Sequence, residues 1–315
     1  MTAASSNDYG PQGRSAWLDI DWRSHQRWVR VEDRWANVIE LGSGPPVLFV
    51  HGLGGSWQNW LENLPATADA GYRAIAVDLP GFGQSEMPNQ KISISNFGRW
   101  IDALCDELRT GPVALVGNSM GGFIGCEAAI KFPPRVERLV LVSAAGITIE
   151  HQRNETALGA LYRTERISKF VATWLAAHAD GMATRPRLRK ALLRFVMAHP
   201  ERLPGPLISE QLRGSGKAGF LPALDALTSY PIRERLPEVA CPTLIVWGAD
   251  DRLVPRRDAD TFEELIPDSR KVVFEDTGHV AMMERPGRFN RLVLDFLAEK
   301  PGEEVDETSE AAVGD

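Results

Sequence analysis

The sequence is poor in cysteine and has no long hydrophobic run. Its three cysteines, Cys105, Cys126 and Cys241, are scattered and lack metal-ligand spacing, so neither a disulfide framework nor a metal site is predicted. No stretch approaches the roughly 18 uninterrupted apolar residues of a membrane span. The polar segment 1–15 lacks the apolar core of a secretory signal and is predicted to be a flexible N-terminus. These absences favour a soluble, cytoplasmic protein.

An excess of basic residues is also missing. The formal net charge is −7, and six of the acidic residues lie in the tail 301–315, which contains no basic residue. The rest of the chain is therefore nearly neutral and has no electrostatic footprint for nucleic acid. The tail lacks apolar periodicity and is predicted to be disordered.

The remaining chain alternates between strand-type and helix-type segments. A hairpin is predicted from Arg27–Val31 and Trp35–Leu41, and Ile94–Leu108 has the apolar spacing of a helix. Further apolar runs typical of buried strands are Pro46–Val50, Arg73–Leu79, Pro112–Val116, Arg138–Val142, Thr243–Trp247 and Lys271–Phe274. Such alternation predicts an α/β fold with a mostly parallel central sheet and helices on both faces. The core would span 16–145 and 236–300, interrupted by a helical insertion over 146–235.

A Gly-x-Ser-x-Gly motif lies at the junction of a predicted strand and helix. Gly117-Asn118-Ser119-Met120-Gly121 follows Pro112–Val116 and precedes a helix predicted over Gly121–Phe132. A sharp turn that holds serine in a strained conformation leaves no room for side chains two residues before and after it. This context predicts a nucleophile elbow, with Ser119 exposed above the carboxyl edge of the sheet.

A serine nucleophile needs a base and an acid to orient that base. Of the six histidines, His279 is the best candidate, because it follows the last predicted strand on a loop at the same sheet edge as Ser119. Two adjacent carboxylates, Asp250 and Asp251, follow the strand Thr243–Trp247. The order serine, aspartate, histidine is the one expected for this arrangement.

Several motifs together resemble the α/β-hydrolase superfamily over nearly all of residues 25–300. They are His51-Gly52-Leu53-Gly54-Gly55, Asp78-Leu79-Pro80-Gly81-Phe82-Gly83-Gln84-Ser85, the elbow, Gly248–Asp251, and Gly278-His279 followed by Glu284-Arg285-Pro286. The resemblance implies that Asp251, rather than Asp250, is the acid of the triad. It also implies that the backbone N–H groups of Leu53 and Met120 form the oxyanion hole, while His51 braces its loop.

The resemblance leaves three functions open. A carboxylic-ester hydrolase acting on small to medium apolar substrates through an acyl-enzyme is the favoured interpretation. The string Gly117–Gly122 also resembles the elbow of meta-cleavage-product hydrolases, which break carbon–carbon bonds, although those enzymes usually have tryptophan where this chain has Val280. A ligand receptor on the same scaffold is the third hypothesis. No cofactor motif is present, and a small-molecule acyl substrate is the expected partner.

The helical insertion 146–235, which includes a helix predicted over Leu188–Ala198, is interpreted as a lid over Ser119. In related enzymes a helical insertion at this point roofs the active site, excludes water and shapes the pocket. The aromatic residues predicted to line the pocket are Tyr162, Phe170, Trp174 and Phe195.

Overall fold

The fold is built on an eight-stranded sheet. The computed structural model describes residues 8–148, 177–214 and 216–299. The strands are β1 (Gln26–Val31), β2 (Arg34–Leu41), β3 (Pro46–Val50), β4 (Arg73–Val77), β5 (Val113–Asn118), β6 (Val136–Val142), β7 (Thr243–Gly248) and β8 (Ser269–Phe274). They lie in the order β1-β2-β4-β3-β5-β6-β7-β8, and β2 runs antiparallel to both of its neighbours, whereas the other pairs are parallel.

The described helices cover both faces of the sheet. They are α1 (Leu64–Asp69), α2 (Ile94–Leu108), α3 (Met120–Lys131), α4 (Ala179–Ala183), α5 (Pro186–Leu193), α6 (Gly205–Arg213), α7 (Phe220–Ser229), α8 (Arg257–Leu265), α9 (Ala281–Glu284) and α10 (Pro286–Ala298). On β3, Leu48 and Val50 face the core formed with α2, α3 and α8, while Val47 and Phe49 face the core formed with α1 and α10. Successive residues of a strand point to opposite faces, so a strand buried on both sides must be apolar throughout. The predicted fold class is confirmed.

The segment between β6 and β7 carries α4 to α7. Of its residues, 149–176 and 215 lie outside the described part of the chain, and so do the predicted pocket residues Tyr162, Phe170 and Trp174. The described residues of 177–235 contain no strand, as predicted. A helix predicted over Leu188–Ala198 ends at Leu193, because the following residues run instead along the loop that carries His279. No helix in the described ranges has both the length and the apolarity needed to cross a bilayer.

The N-terminal segment is packed from residue 8 onward, although a flexible terminus was predicted up to residue 15. Tyr9 is buried, and the backbone N–H of Gly10 donates to the carbonyl of Glu284. Further along, the Ser15 hydroxyl donates to the Glu62 carboxylate. The segment is polar, yet it finds specific partners on the folded core. Residues 1–7 and the acidic tail 301–315 lie outside the described residues.

Candidate active site

Ser119 occupies a strained turn between β5 and α3. Its backbone has φ 55° and ψ −117°, a positive-φ conformation outside the allowed regions for L-residues. A Cβ added to Gly117 would lie 2.4 Å from the carbonyl carbon of Gly121, and one added to Gly121 would lie 2.2 Å from the carbonyl oxygen of Val50. Both glycines are therefore sterically required. The turn leaves Ser119 partly exposed at the carboxyl edge of the sheet, whereas Met120 behind it is buried.

His279 lies on the loop after β8 and is hydrogen-bonded to Asp251. Its Nδ1 atom is 2.8 Å from Asp251 Oδ2, and the Asp251 side chain is fully buried. The other carboxylate oxygen of Asp251 accepts the backbone N–H groups of Leu253 and Val254, each at 2.9 Å. These two contacts fix the carboxylate plane. Asp250 is exposed, and its backbone N–H donates to the carbonyl of Thr277. Of the two adjacent carboxylates, Asp251 is therefore the one that contacts His279.

The two predicted oxyanion donors flank Ser119. Met120 is the first residue of α3, where backbone N–H groups have no partner within the helix. Leu53 follows Gly52, and a Cβ added to Gly52 would lie 3.1 Å from Ser119 Cβ, so this loop is in direct contact with the elbow. Such an arrangement suits stabilisation of an oxyanion on a carbonyl carbon attached to Ser119.

His51 is fully buried, and both of its ring nitrogens contact the backbone. The backbone N–H of Leu79 donates to Nε2 at 3.0 Å, so Nε2 is unprotonated and Nδ1 donates to the carbonyl of Gly52 at 2.8 Å. Burial lowers the pKa of His51, because the charged imidazolium would lose its hydration. The neutral ring thus braces the loop that carries Leu53.

This bracing predicts an acid-sensitive contribution to stability. The unfolded chain takes up a proton on His51 near the ordinary pKa of about 6.5. The folded chain takes it up only at lower pH, so the free energy of unfolding falls as the pH drops through that value. Between pH 7.5 and pH 5.5 we expect the free energy of unfolding to fall more in wild type than in His51→Gln, measured by urea unfolding. Equal losses in the two proteins would contradict a neutral, buried His51.

A cleft of about 500 Å³ opens onto Ser119 and His279. Its wall is mostly apolar and comes from the core loops, from the described part of the β6–β7 segment and from the residues after His279. The apolar side chains are Leu53, Leu193, Val196, Met197, Leu212, Phe220, Leu224, Leu227, Leu253, Val254, Val280 and Met283. No lysine or arginine is found among the lining residues within the described ranges.

The cleft differs in detail from the pocket predicted from sequence. Phe195 does not line it: the ring is 55% exposed and lies against the Arg194 guanidinium. Its neighbours Leu193 and Val196 face the cleft instead. Sequence reasoning also missed a polar pair in the wall, in which the Asn59 amide donates to Gln211. The two residues are 152 positions apart, and nothing in the sequence indicates that their side chains meet.

The parallel sheet and the nucleophile elbow together are typical of α/β hydrolases. Residues 45–286 match the alpha/beta hydrolase fold family, and the chain belongs to that family. A hydrolase of Comamonas testosteroni, named 2-hydroxy-6-oxo-6-phenylhexa-2,4-dienoate hydrolase, is 31% identical over 275 residues, which cover 83% of this chain and 90% of that protein.

Solved structures agree with this assignment. A meta-cleavage product hydrolase from Pseudomonas fluorescens IP01 superposes with a TM-score of 0.67 at 26% identity, covering 86% of this chain and 97% of that chain. An esterase from Exiguobacterium antarcticum superposes with a TM-score of 0.72 at 24% identity, covering 86% of this chain and 99% of that chain. The latter likeness shows a common fold. The chain is thus a hydrolase related to meta-cleavage-product hydrolases.

Proposed function

We propose that this protein is a serine hydrolase that cleaves a carbon–carbon bond in a 2-hydroxy-6-oxo-dienoate. The observation that carries the proposal is the apolar cleft in which Ser119 lies beside an Asp251-paired His279. The similar Comamonas hydrolase is named for such a dienoate. That compound contains no ester or amide, so its hydrolysis must break a carbon–carbon bond. This reverses the order of preference drawn from the sequence, in which ester hydrolysis stood first.

The proposed reaction uses each residue at a defined atom. His279 accepts the Ser119 proton as the hydroxyl oxygen attacks the C6 carbonyl, and the backbone N–H groups of Leu53 and Met120 stabilise the oxyanion. The C5–C6 bond then breaks, the electron pair stays on C5 and the proton follows it. Water attacks the acyl-Ser119 ester and releases a carboxylic acid, so one water molecule is consumed for each bond broken. Asp251 holds the His279 tautomer in both halves of the reaction.

Ester hydrolysis is the second candidate, and two observations favour it. Val280, which stands where meta-cleavage-product hydrolases usually have tryptophan, is buried and lines the cleft. The described lining also offers no cationic side chain for the carboxylate of a dienoate. A neutral ester with an apolar acyl group fits such a wall without leaving a charge unpaired.

A substrate panel separates the candidates. We expect kcat/KM for 2-hydroxy-6-oxo-6-phenylhexa-2,4-dienoate to exceed that for the best p-nitrophenyl ester of graded chain length by about tenfold or more, which is ~1.4 kcal/mol in activation free energy. Decay of dienoate absorbance and release of benzoate report the carbon–carbon reaction. Rapid ester turnover without benzoate would instead establish ester hydrolysis. Binding without turnover of either compound would support the receptor hypothesis.

A further inference from the structure

A buried carboxylate that takes no part in the proposed chemistry lies directly beneath the His279 loop. Glu284 is fully buried in α9, five residues after His279 in the chain. We infer that Glu284 is a positioning residue, which holds His279 by tying its loop to the cleft wall and to the N-terminal segment. The inference rests on the proposed role of His279 as base.

The first set of contacts fixes the peptide groups on either side of His279. The backbone N–H of Gly278 donates to both carboxylate oxygens of Glu284, at 3.0 and 3.1 Å, and that of Val280 donates to Oε1 at 3.4 Å. One carboxylate therefore binds the residue before and the residue after the base. Loops held only by their ends leave such peptide groups free to rotate, and here they are constrained.

The second set of contacts joins this loop to the cleft wall. The backbone N–H of Ala198 donates to Glu284 Oε2 at 2.8 Å, and the backbone N–H of His279 donates to the carbonyl of Val196 at 2.8 Å. Val196 and Met197 line the cleft. A Cβ added to Gly278 would lie 2.8 Å from the Ala198 nitrogen, so glycine is needed for this close approach.

The third contact joins the N-terminal segment. The Tyr9 hydroxyl donates to Glu284 Oε2 at 2.7 Å and accepts the backbone N–H of His199 at 2.9 Å. The Tyr9 ring also packs edge-on against the His199 ring, with centroids 5.3 Å apart. Glu284 is therefore the point at which the base loop, the cleft wall and residues 8–10 meet.

The contacts of Glu284 are all with hydrogen-bond donors. An ionised carboxylate is acceptor-only and can satisfy all of them, whereas an amide cannot. In Glu284→Gln the NH2 group must face either the Gly278 and Val280 N–H groups or the Ala198 N–H and Tyr9 hydroxyl. At least one buried backbone N–H then loses its acceptor. The substitution therefore loosens this junction without changing the volume of the side chain.

The test compares Glu284→Gln with Glu275→Gln, a matched control that removes the same charge from an exposed position on the same loop. For Glu284→Gln we expect kcat to fall about 10- to 100-fold, because displacing a reacting group by about 1 Å costs that much. Hydrogen–deuterium exchange should rise in peptides covering 194–200 and 276–284 and stay unchanged in β3 and β5. Glu275→Gln should match wild type in both measurements.

The inference would be overturned if Glu284→Gln kept wild-type kcat, or if exchange in peptides 194–200 and 276–284 did not rise selectively. A merely structural Glu284 would raise exchange throughout the sheet and lower the Tm, yet leave kcat at wild-type level well below the Tm. If Glu284→Gln does not fold, Tyr9→Phe removes a single donor and should raise exchange in the same two peptides, while unchanged exchange there would refute the junction. The exchange measurement needs no substrate, so it stands even if the proposed reaction is wrong.

Discussion

Ser119→Ala is expected to lower kcat by about 10⁴- to 10⁶-fold on whichever substrate the wild type turns over. Without the hydroxyl no acyl-enzyme can form, and His279 has no proton to accept from residue 119. Alanine keeps the Cβ atom and removes only the hydroxyl group of a partly exposed side chain. The variant should therefore fold with an unchanged Tm and still bind substrate, which equilibrium binding of the dienoate would show.

Ser143→Ala is the matched control for this substitution. Ser143 follows β6 as Ser119 follows β5, it also has a positive φ of 46°, and it is buried. Its kcat should remain within a few-fold of wild type. Residual activity of Ser119→Ala above about one per cent of wild type, or a loss of similar size in Ser143→Ala, would place the nucleophile elsewhere.

Asp251→Asn is expected to lower kcat by about 10⁴-fold, the loss typical of an acid that fixes the tautomer of a catalytic histidine. The reason is that the two carboxylate oxygens of Asp251 have different partners. The backbone N–H groups of Leu253 and Val254 both donate to Asp251 Oδ1, so an asparagine would turn its carbonyl oxygen towards them. Its NH2 group would then face His279 Nδ1. That nitrogen would become the acceptor, and the proton would move to Nε2, where the ring could no longer accept a proton from Ser119.

Asp250→Asn provides the control, because it makes the same replacement of a carboxylate by an amide at the adjacent, exposed position. We expect near-wild-type kcat for it, measured beside Asp251→Asn at several pH values. The opposite pattern, with Asp250→Asn inactive and Asp251→Asn active, would show that the hydrogen bond to His279 does not define the acid. Equal and modest losses would show that neither carboxylate orients the base.

Local sterics and periodicity explain why much of the fold could be predicted from sequence. The helix predicted over Ile94–Leu108 has those bounds, because its apolar residues recur on one face and Ser93 caps it. The hairpin was predicted from its flanking β-prone runs, and Glu32 and Asp33 both adopt positive φ at its turn. Gly117 and Gly121 lie too close to neighbouring backbone for any side chain, and the Gly-x-Ser-x-Gly motif predicts this requirement.

The features that escaped prediction depend on contacts between distant segments. Helix α5 ends at Leu193 because the carbonyl of Val196 accepts the backbone N–H of His279, more than 80 residues away. Tyr9 is ordered because it reaches Glu284, 275 positions along the chain. A single sequence does not indicate that Val196 contacts His279 or that Tyr9 contacts Glu284. Glu284 stands out in the sequence through the motif Glu284-Arg285-Pro286, but the motif does not indicate which groups its carboxylate contacts.

Labelling with a fluorophosphonate tests the central proposal most directly. The account predicts one covalent adduct per chain, located on Ser119 by peptide mass spectrometry. Labelling should be absent in Ser119→Ala and much slower in Asp251→Asn, because serine reactivity depends on the His279 tautomer. An adduct on another serine, or an unchanged labelling rate in Asp251→Asn, would contradict the proposal that Ser119, His279 and Asp251 act as one catalytic unit.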